Sequence, residues 1–556
     1  MVEKIQNTLR DSAGMRWTAL LLLALAMFCS YIFMDILSPI KDYMMSTRGW
    51  DSTAFGTMQG AETFLNVFVF FLIFAGIILD KMGVRFTAVL SGVVMLIGAL
   101  IQYYAVTEVF NDSSLKVWLD NHLNYIPGFD EIGVAPFYKG MPASAKLAAI
   151  GFMIFGCGTE MGGITVSRGI VKWFKGRETA LAMGSEMALA RLGVATCMTF
   201  SPFFCKLGDS LNPDVSRSVA FGVIMLCIAL MMFIIYFFMD KKLDAQTGEA
   251  EEKDDPFKIS DIGKIFSSLG FWLVALLCVL YYSAIFPFQK YAVDMMKCNL
   301  ALEPGTGFYA SEALTFIQYG LILVFSACAF ASNFMKSMFK KISFMVVAVI
   351  AIVAYCWLTY KHGTEEGVVA VFPLLAVAIT PILGKMVDNK GKAATMLMLG
   401  SLLLIVCHLT FAFVLPMFKG NAVGGILVAY ATILVLGASF SLVPAALWPS
   451  VPKLVDEKII GSAYALIFWI QNIGLWLFPI LIGKVLDATN TELVAKVAEA
   501  TNNNDTATIE VLAKQFDYTW PLIIFACLGV ASFIIGIILK GVDKKKHLGL
   551  EEPTAK

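Results

Sequence analysis

The sequence predicts an all-α polytopic membrane protein built as two related helical halves. Three observations carry that expectation. Of 556 residues, 58% are hydrophobic and 15% charged, with a mean hydropathy of +0.75, whereas soluble domains carry about 25% charged residues. Apolar runs of about 20 residues, the length that crosses a bilayer core, recur from end to end. A Gly–Asp–Gly turn occurs twice, at corresponding places in the two halves.

The first run, from Trp17 to about Leu37, is long enough to span. No small-residue cleavage site follows it, so it reads as a helix and not as a signal peptide. Further runs fall near 53–79, 86–106, 145–170, 178–203 and 219–240, giving a first six-helix bundle over residues 1–240. Residues 241–267 begin KKLDAQTGEAEEKDD and read as a cytoplasmic charged linker. The second block, 268–540, has runs near 268–296, 312–334, 342–360, 367–386, 393–415, 425–447, 462–486 and 518–540, and 541–556 is a polar tail.

Orientation follows from basic residues in short loops. Lys81 and Arg85, Lys172, Lys175 and Arg177, Lys340 and Lys341, Lys390 and Lys392, Lys453 and Lys458, and Lys544–Lys546 fall on one side. That side is cytoplasmic and holds both termini, and the long segments 107–144 and 487–517 lie outside. Tyr43, Trp50, Trp448 and Trp520 read as interfacial anchors, and His408 as a packed core residue.

The repeated turn is Gly76, Asp80, Gly83 and Arg85 in the first half and Gly384, Asp388, Gly391 and Lys392 in the second. Glycine permits close helix approach and a tight turn. Asp80 suits the N-terminus of a neighbouring helix, where the dipole favours an anion. Arg85 and Lys81 suit holding the cytoplasmic helix ends together, as a latch for the state closed to the cytoplasm. The second copy comes later than a duplicated six-helix half would put it. An inserted helical hairpin near 312–360 accounts for the excess; the alternative is one broken helix with an interfacial piece.

Glu160 and Arg191 each sit near the middle of a spanning run. An ionised group at that depth costs roughly 2.5–3.5 kcal/mol on insertion scales, so it faces a cavity or a partner. At 1.5 Å per residue both lie roughly 15–20 Å from the cytoplasmic ends of their helices, near the bilayer midplane. The two charges of a small zwitterion can be bracketed by an acid and a base on adjacent helices. Arg191 offers a bidentate fork for a carboxylate, and Glu160 accepts from an ammonium. The alternative is a structural ion pair between the two. Tyr281, Tyr282, Gln471 and Asn472 are candidate cavity walls, as are Gln59, Glu62 and Asn66, which recur on one helix face. Helix–helix hydrogen bonding is the competing role for each. Asp35, nearer the outer end, reads as a gate residue, a proton carrier or an anchor. Arg168 reads as an anchor beside Lys172, with a part in the coupling machinery as the alternative.

Several stretches together resemble the major facilitator superfamily, and within it the lysosomal dipeptide transporter branch and its prokaryotic relatives. They are Trp173-Phe-Lys-Gly-Arg-Glu-Thr-Ala through Arg191-Leu-Gly193, Leu447-Trp448-Pro449, Gly461-Ser-Ala-Tyr464, Ile470-Gln471-Asn472-Ile-Gly474, and Asp35 before Ser38-Pro39. The resemblance implies the major facilitator fold, with pseudo-two-fold symmetry between the bundles and transport of dipeptides by alternating access. It assigns the peptide's amine to Glu160 and its carboxylate to Arg191. The inserted hairpin and the acidic Glu186 depart from the pattern. The E-x-x-E-R signature of the proton-coupled oligopeptide family is lacking in the first helix, so that family is not assigned.

The sequence therefore points to a transporter of dipeptides or similar small zwitterions, acting as a uniporter because a net-neutral cargo needs no coupling ion. The alternatives are a proton-coupled carrier of organic anions and a non-transporting membrane scaffold. Zero net charge gives no reason to expect a nucleic-acid partner. No nucleophile–base pair, Walker loop or metal cluster is visible, so neither an enzyme nor a cofactor is expected. The 11 cysteines lack metal-ligand spacing. Membrane lipids surround the chain, an accessory membrane protein fits the inserted helices, and the core is expected to be monomeric. The N-terminal tail shows no acidic dileucine signal, which favours a bacterial inner membrane over a lysosomal one.

Overall fold

The computed structural model describes residues 8–553 except 124–136, 175–177, 209–211, 248–258, 301–311, 333–334, 336, 363–364, 420 and 456–459. Among the described residues there is no strand, and twelve helices are long and apolar enough to cross a membrane. The end that the basic loops assign to the outside is called the outer end below.

The first bundle begins with α1 (Ala13–Met34), whose path continues through a short turn into α2 (Lys41–Arg48). Next come α3 (Ser52–Phe68) and α4 (Phe71–Ala105). Between them the backbone breaks at Phe70, which takes a left-handed φ of 56°. Inside α4 the chain reverses at Gly83 (φ 81°, ψ 165°), a conformation that glycine alone adopts without strain. Val84 accordingly lies beside Gly169, and Gly98 beside Phe155, so the returning strand of helix climbs back up its neighbour. Thus α3 and the first part of α4 make one broken span, and the rest of α4 makes the next. Two short outer helices follow, α5 (Glu108–Asn111) and α6 (Ser114–Asn121). The bundle is completed by α7 (Ala143–Trp173), α8 (Thr179–Lys206) and α9 (Val215–Thr247). Helix therefore extends into the charged linker, which also holds α10 (Ile259–Phe266).

The second block comprises α11 (Leu269–Leu300), α12 (Glu312–Ser332), α13 (Met338–His362), α14 (Glu365–Lys390), α15 (Ala393–Leu409), α16 (Ala422–Ser450), α17 (Ile460–Thr489), the outer helices α18 (Thr491–Asn502) and α19 (Thr506–Ala513), and α20 (Thr519–Lys546). The pairings repeat. In the first bundle α1 packs on α8 and α9, α4 on α9, and α3 on α7. In the second, α11 packs on α17 and α20, α15 on α20, and α14 on α16. The bundles meet where α3 packs on α17 and α8 on α14, contacts that exchange under the two-fold relation. This is two six-helix bundles with pseudo-two-fold symmetry. The extra pair α12–α13 stands outside both, with α12 against α14 and α8. Tyr319 of α12 meets Thr196 of α8 at 2.9 Å, oxygen to oxygen, and its ring packs on Phe200.

Small residues let α3 and α17 approach backbone to backbone. A Cβ on Gly56 would lie 2.2 Å from the Pro479 carbonyl, and one on Gly483 would lie 2.2 Å from that of Ser52. Tyr291 of α11 closes the contact by donating toward the same two carbonyls, at 2.9 Å to Pro479 and 3.3 Å to Ser52. Gly76 has nothing within 4 Å of its would-be Cβ.

The segment after α20 folds back over the inner end of the second bundle. Lys392 and Ala393 donate their backbone N–H groups to the carbonyls of Glu551 and Leu550 at 3.1 and 3.0 Å. The Glu551 carboxylate accepts from the Thr395 backbone N–H at 2.9 Å and from its hydroxyl at 2.8 Å. It serves as the N-cap of α15 that Lys392, in a left-handed conformation, does not supply. Lys453 donates to the Gly549 carbonyl at 2.7 Å, tying in the end of α16.

Gly56→Val is expected to destabilise the folded protein by about 1–3 kcal/mol through overpacking. Gly76→Ala should leave stability unchanged or slightly higher. Thermal melts in detergent distinguish the two.

Candidate functional site

Glu160 of α7 and Arg191 of α8 both stay partly accessible between the bundles. They form no ion pair with each other; each is completed from the second bundle instead. The Glu160 carboxylate accepts from the Asn472 amide of α17 at 3.1 Å. The Arg191 guanidinium lies over the ring of Phe440 in α16 at 4.5 Å, with Phe286 of α11 at 5.6 Å and Tyr31 of α1 at 5.9 Å. An aromatic cage of this kind holds a cation in place by its ring faces while leaving its in-plane N–H donors for an anion. Tyr31 lies within electrostatic reach of Arg191, Glu186, Glu160 and Glu62, so these charges share one region.

The other expected wall residues divide. Asn472 is in the site. Tyr282 stacks on Phe286 with ring centroids 5.4 Å apart, backing the cage. Tyr281 is fully buried and bonded to Ser439 at 2.7 Å, so it joins α11 to α16. Gln471 accepts only a weak bond from the Cys278 thiol at 3.4 Å. Gln59 is buried with its amide oxygen unpartnered in the protein, and both amide atoms of Asn66 are likewise unpartnered. Glu62 stands 3.9 Å from Lys290 of α11.

Asp35 is tied across the bundles. Lys290 donates to it at 2.9 Å and Gln289 at 2.6 Å. This is the innermost rung of a ladder that the sequence reading missed. Lys290, Asp294 and Lys297 fall at i, i+4 and i+7, one face of α11. Asp294 pairs with Lys41 at 2.8 Å and accepts from the Tyr518 hydroxyl. Lys297 pairs with Asp42 at 2.9 Å and with Glu366 at the start of α14 at 3.2 Å, with the Tyr43 ring beneath it at 5.0 Å. From Tyr281 to Leu300 every α11 residue except Phe286 is buried. Asp487 of α17 adds a further tie by accepting from the backbone N–H groups of Ser52 and Thr53 at 3.2 and 2.7 Å. The outer end is therefore shut by bonds between the bundles. The signal available beforehand was the helical spacing of three ionisable residues at the end of one apolar run.

At the inner end, Asp80 accepts from the Arg168 guanidinium and not from a helix N-terminus, so Arg168 is a partner and not a mere anchor. Arg85 pairs with Asp244 of α9 at 3.1 Å, and Lys172 bridges Asp240 and Asp244 at 2.7 Å each. All of these contacts lie within the first bundle. Gly83 makes the turn between the two spans, whereas Gly76 supports no close approach. The surroundings of Gly384 and the side chain of Asp388 lie outside those described. Trp50 is buried and donates to Ser144 at 2.8 Å, so it is a core residue and not an interfacial anchor, and Tyr43 is buried beneath Lys297. His408 packs fully buried between Phe288 and Phe525, as expected of a core residue.

The family profile described as Major Facilitator Superfamily matches residues 23–368. The chain is 24% identical over 479 residues to the lysosomal dipeptide transporter MFSD1 of Bos taurus, covering 85% of this chain and 80% of that protein. To its counterpart in Homo sapiens it is 23% identical over 480 residues, with the same coverage. Among solved structures, the D-xylose-proton symporter superposes with a TM-score of 0.55 at 12% identity, covering 94% of this chain and 97% of that one. A bacterial homologue of the human lysosomal transporter Spinster, in an inward-facing and occupied conformation, gives 0.54 at 12% identity, covering 96% and 98%. These superpositions speak for the fold.

Lys297→Met leaves Asp42 and Glu366 buried without their cation and is expected to cost about 3–5 kcal/mol. Adding Asp42→Asn and Glu366→Gln should recover most of the loss. Melting temperatures of the single and triple variants check this.

Proposed function

The chain belongs to the major facilitator superfamily, and on that premise we propose that it carries dipeptides or similar small zwitterions by alternating access, as a uniporter. It is a multi-pass integral membrane protein whose family and relatives are transporters and not enzymes. The observation that carries the finer reading is the separation of Glu160 from Arg191, each held by the second bundle instead of by the other. An unpaired acid and an unpaired base at the centre of the molecule suit a ligand with both charges. Glu160 takes the ammonium alongside Asn472. Arg191, held by Phe440, Phe286 and Tyr31, presents its fork to the carboxylate. The bundles then rock about this site, exchanging the α11 ladder for contacts at the inner end. In that exchange Asp80, Arg85 and the Gly83 turn are released from the first bundle to form the inner latch. A net-neutral cargo needs no coupling ion to offset its charge, which supports uniport. The relatives bear a lysosomal name, and the sequence expectation is a bacterial inner membrane; the transport reading is the same in both.

One observation favours a second reading. Glu62 stands 3.9 Å from a lysine whose closer partner is Asp35, which suits a proton carrier and an organic-anion cargo held by Arg191.

Thermal stabilisation of the purified protein by dipeptides, free amino acids, N-acetylated dipeptides and dicarboxylates separates the two, since a ligand that binds the folded state raises the melting temperature. Dipeptides are expected to stabilise, and blocking the amine to abolish the shift. Stabilisation by acids without an amine would favour the second reading. In proteoliposomes, Glu160→Gln and Arg191→Ala should each cost about 2 kcal/mol or more in binding, roughly 30-fold. Wild-type uptake in both variants would sink the proposal. Under uniport, dipeptide flux ignores an imposed pH gradient.

A further inference from the structure

Asn66 is 2% exposed, and neither its amide nitrogen nor its amide oxygen has a protein partner. A carboxamide buried without partners is costly, and native structures rarely keep one without a reason. Its position supplies the reason. The starts of α3 and α7 lie together: Trp50 donates to Ser144, 94 residues on. Further along, a Cβ on Gly156 would sit 1.9 Å from the Glu62 carbonyl, so those residues are also level. The two helices therefore run in the same direction with a constant register. Helices of equal rise keep that register over one more turn, which brings Asn66 level with Glu160. From the other side, Thr63 approaches the Asn472 carbonyl at 3.4 Å, and Trp469 donates to the Val67 carbonyl at 3.0 Å. Asn66 thus lies between two fixed contacts to α17, at the level where Asn472 holds Glu160.

Resting on the reading that Glu160 holds the cargo's amine, we propose that Asn66 reads the peptide bond. In a dipeptide the peptide carbonyl carbon lies roughly 2.5 Å from the terminal amine nitrogen, so a group beside Glu160 meets that bond next. A carboxamide offers one donor edge and one acceptor edge in a plane, the complement of the peptide C=O and N–H. Glu160 and Arg191 recognise the charged ends, and Asn66 separates a dipeptide from any other zwitterion of equal length.

The experiment compares glycylglycine with 5-aminopentanoate, which has the same number of atoms between amine and carboxylate and no peptide bond. Affinities are read by titration calorimetry on the purified full chain. Wild type should prefer glycylglycine by about tenfold or more, the worth of one or two hydrogen bonds. Asn66→Leu should lower glycylglycine affinity by about that factor, leave 5-aminopentanoate within about twofold, and keep or raise the unliganded melting temperature, because an unpaired buried amide is removed. Asn66→Ala repeats the comparison without the leucine's bulk. An equal loss for both ligands, or a fall in unliganded melting temperature in both variants, overturns the proposal and makes Asn66 structural. If wild type binds glycylglycine no better than 5-aminopentanoate, Asn66 reads no peptide bond. If wild type binds neither, the amine-and-carboxylate bracket fails and this proposal with it; loss of both ligands in Glu160→Gln supports the bracket.

Discussion

The charge ladder on α11 is the constraint that orders the rest of the molecule. Ionised groups at this burial are expensive unless paired, and Lys290, Asp294 and Lys297 find their partners on the first bundle and at the start of α14. Satisfying them fixes the height and rotation of α11 against α1 and α2. That placement shuts the outer end, with Tyr291 and the glycine contact of α3 with α17 completing the seal. It also brings Phe286, four residues before Lys290, beneath Arg191. The site and the gate are therefore successive levels of one helix, and the central site owes part of its shape to the outer closure.

The helical spans were legible because span length and loop charge are local properties of the chain. The duplicated turn showed the two-fold relation, and its late second copy showed the extra hairpin. Rotation of each helix about its axis was not legible, since apolar residues surround most spans on every side. Trp50 illustrates this: an aromatic at a helix end suits a lipid interface and a buried hydrogen bond equally well. Glu160 and Arg191 stood out because a charge at mid-span has few explanations. Lys290, Asp294 and Lys297 did not, because they occupy the end of their run and read there as a boundary. The partner of Asp80 was hidden for a different reason. It depends on how Arg168, 88 positions further along the chain, reaches back to it.

The hairpin α12–α13 bears on motion. It rests against α14 of one bundle and α8 of the other, beside one of the two seams where the bundles meet. Its contacts with α8 are rings and a hydroxyl pair, and they involve no ionic bond among those described. Aromatic surfaces slide past one another at small cost compared with breaking a buried ion pair, so the extra helices can accompany rocking of the bundles without locking it.

The cap that Glu551 places on α15 has a consequence for biosynthesis. A chain emerges from its N-terminus onward, and Glu551 is made 156 residues after the Thr395 it caps. During that interval α16, α17 and α20 are synthesised while α15 stands with an open N-terminus. The inner face of the second bundle is thus sealed last, by a segment that reaches it only once every helix it ties has entered the bilayer.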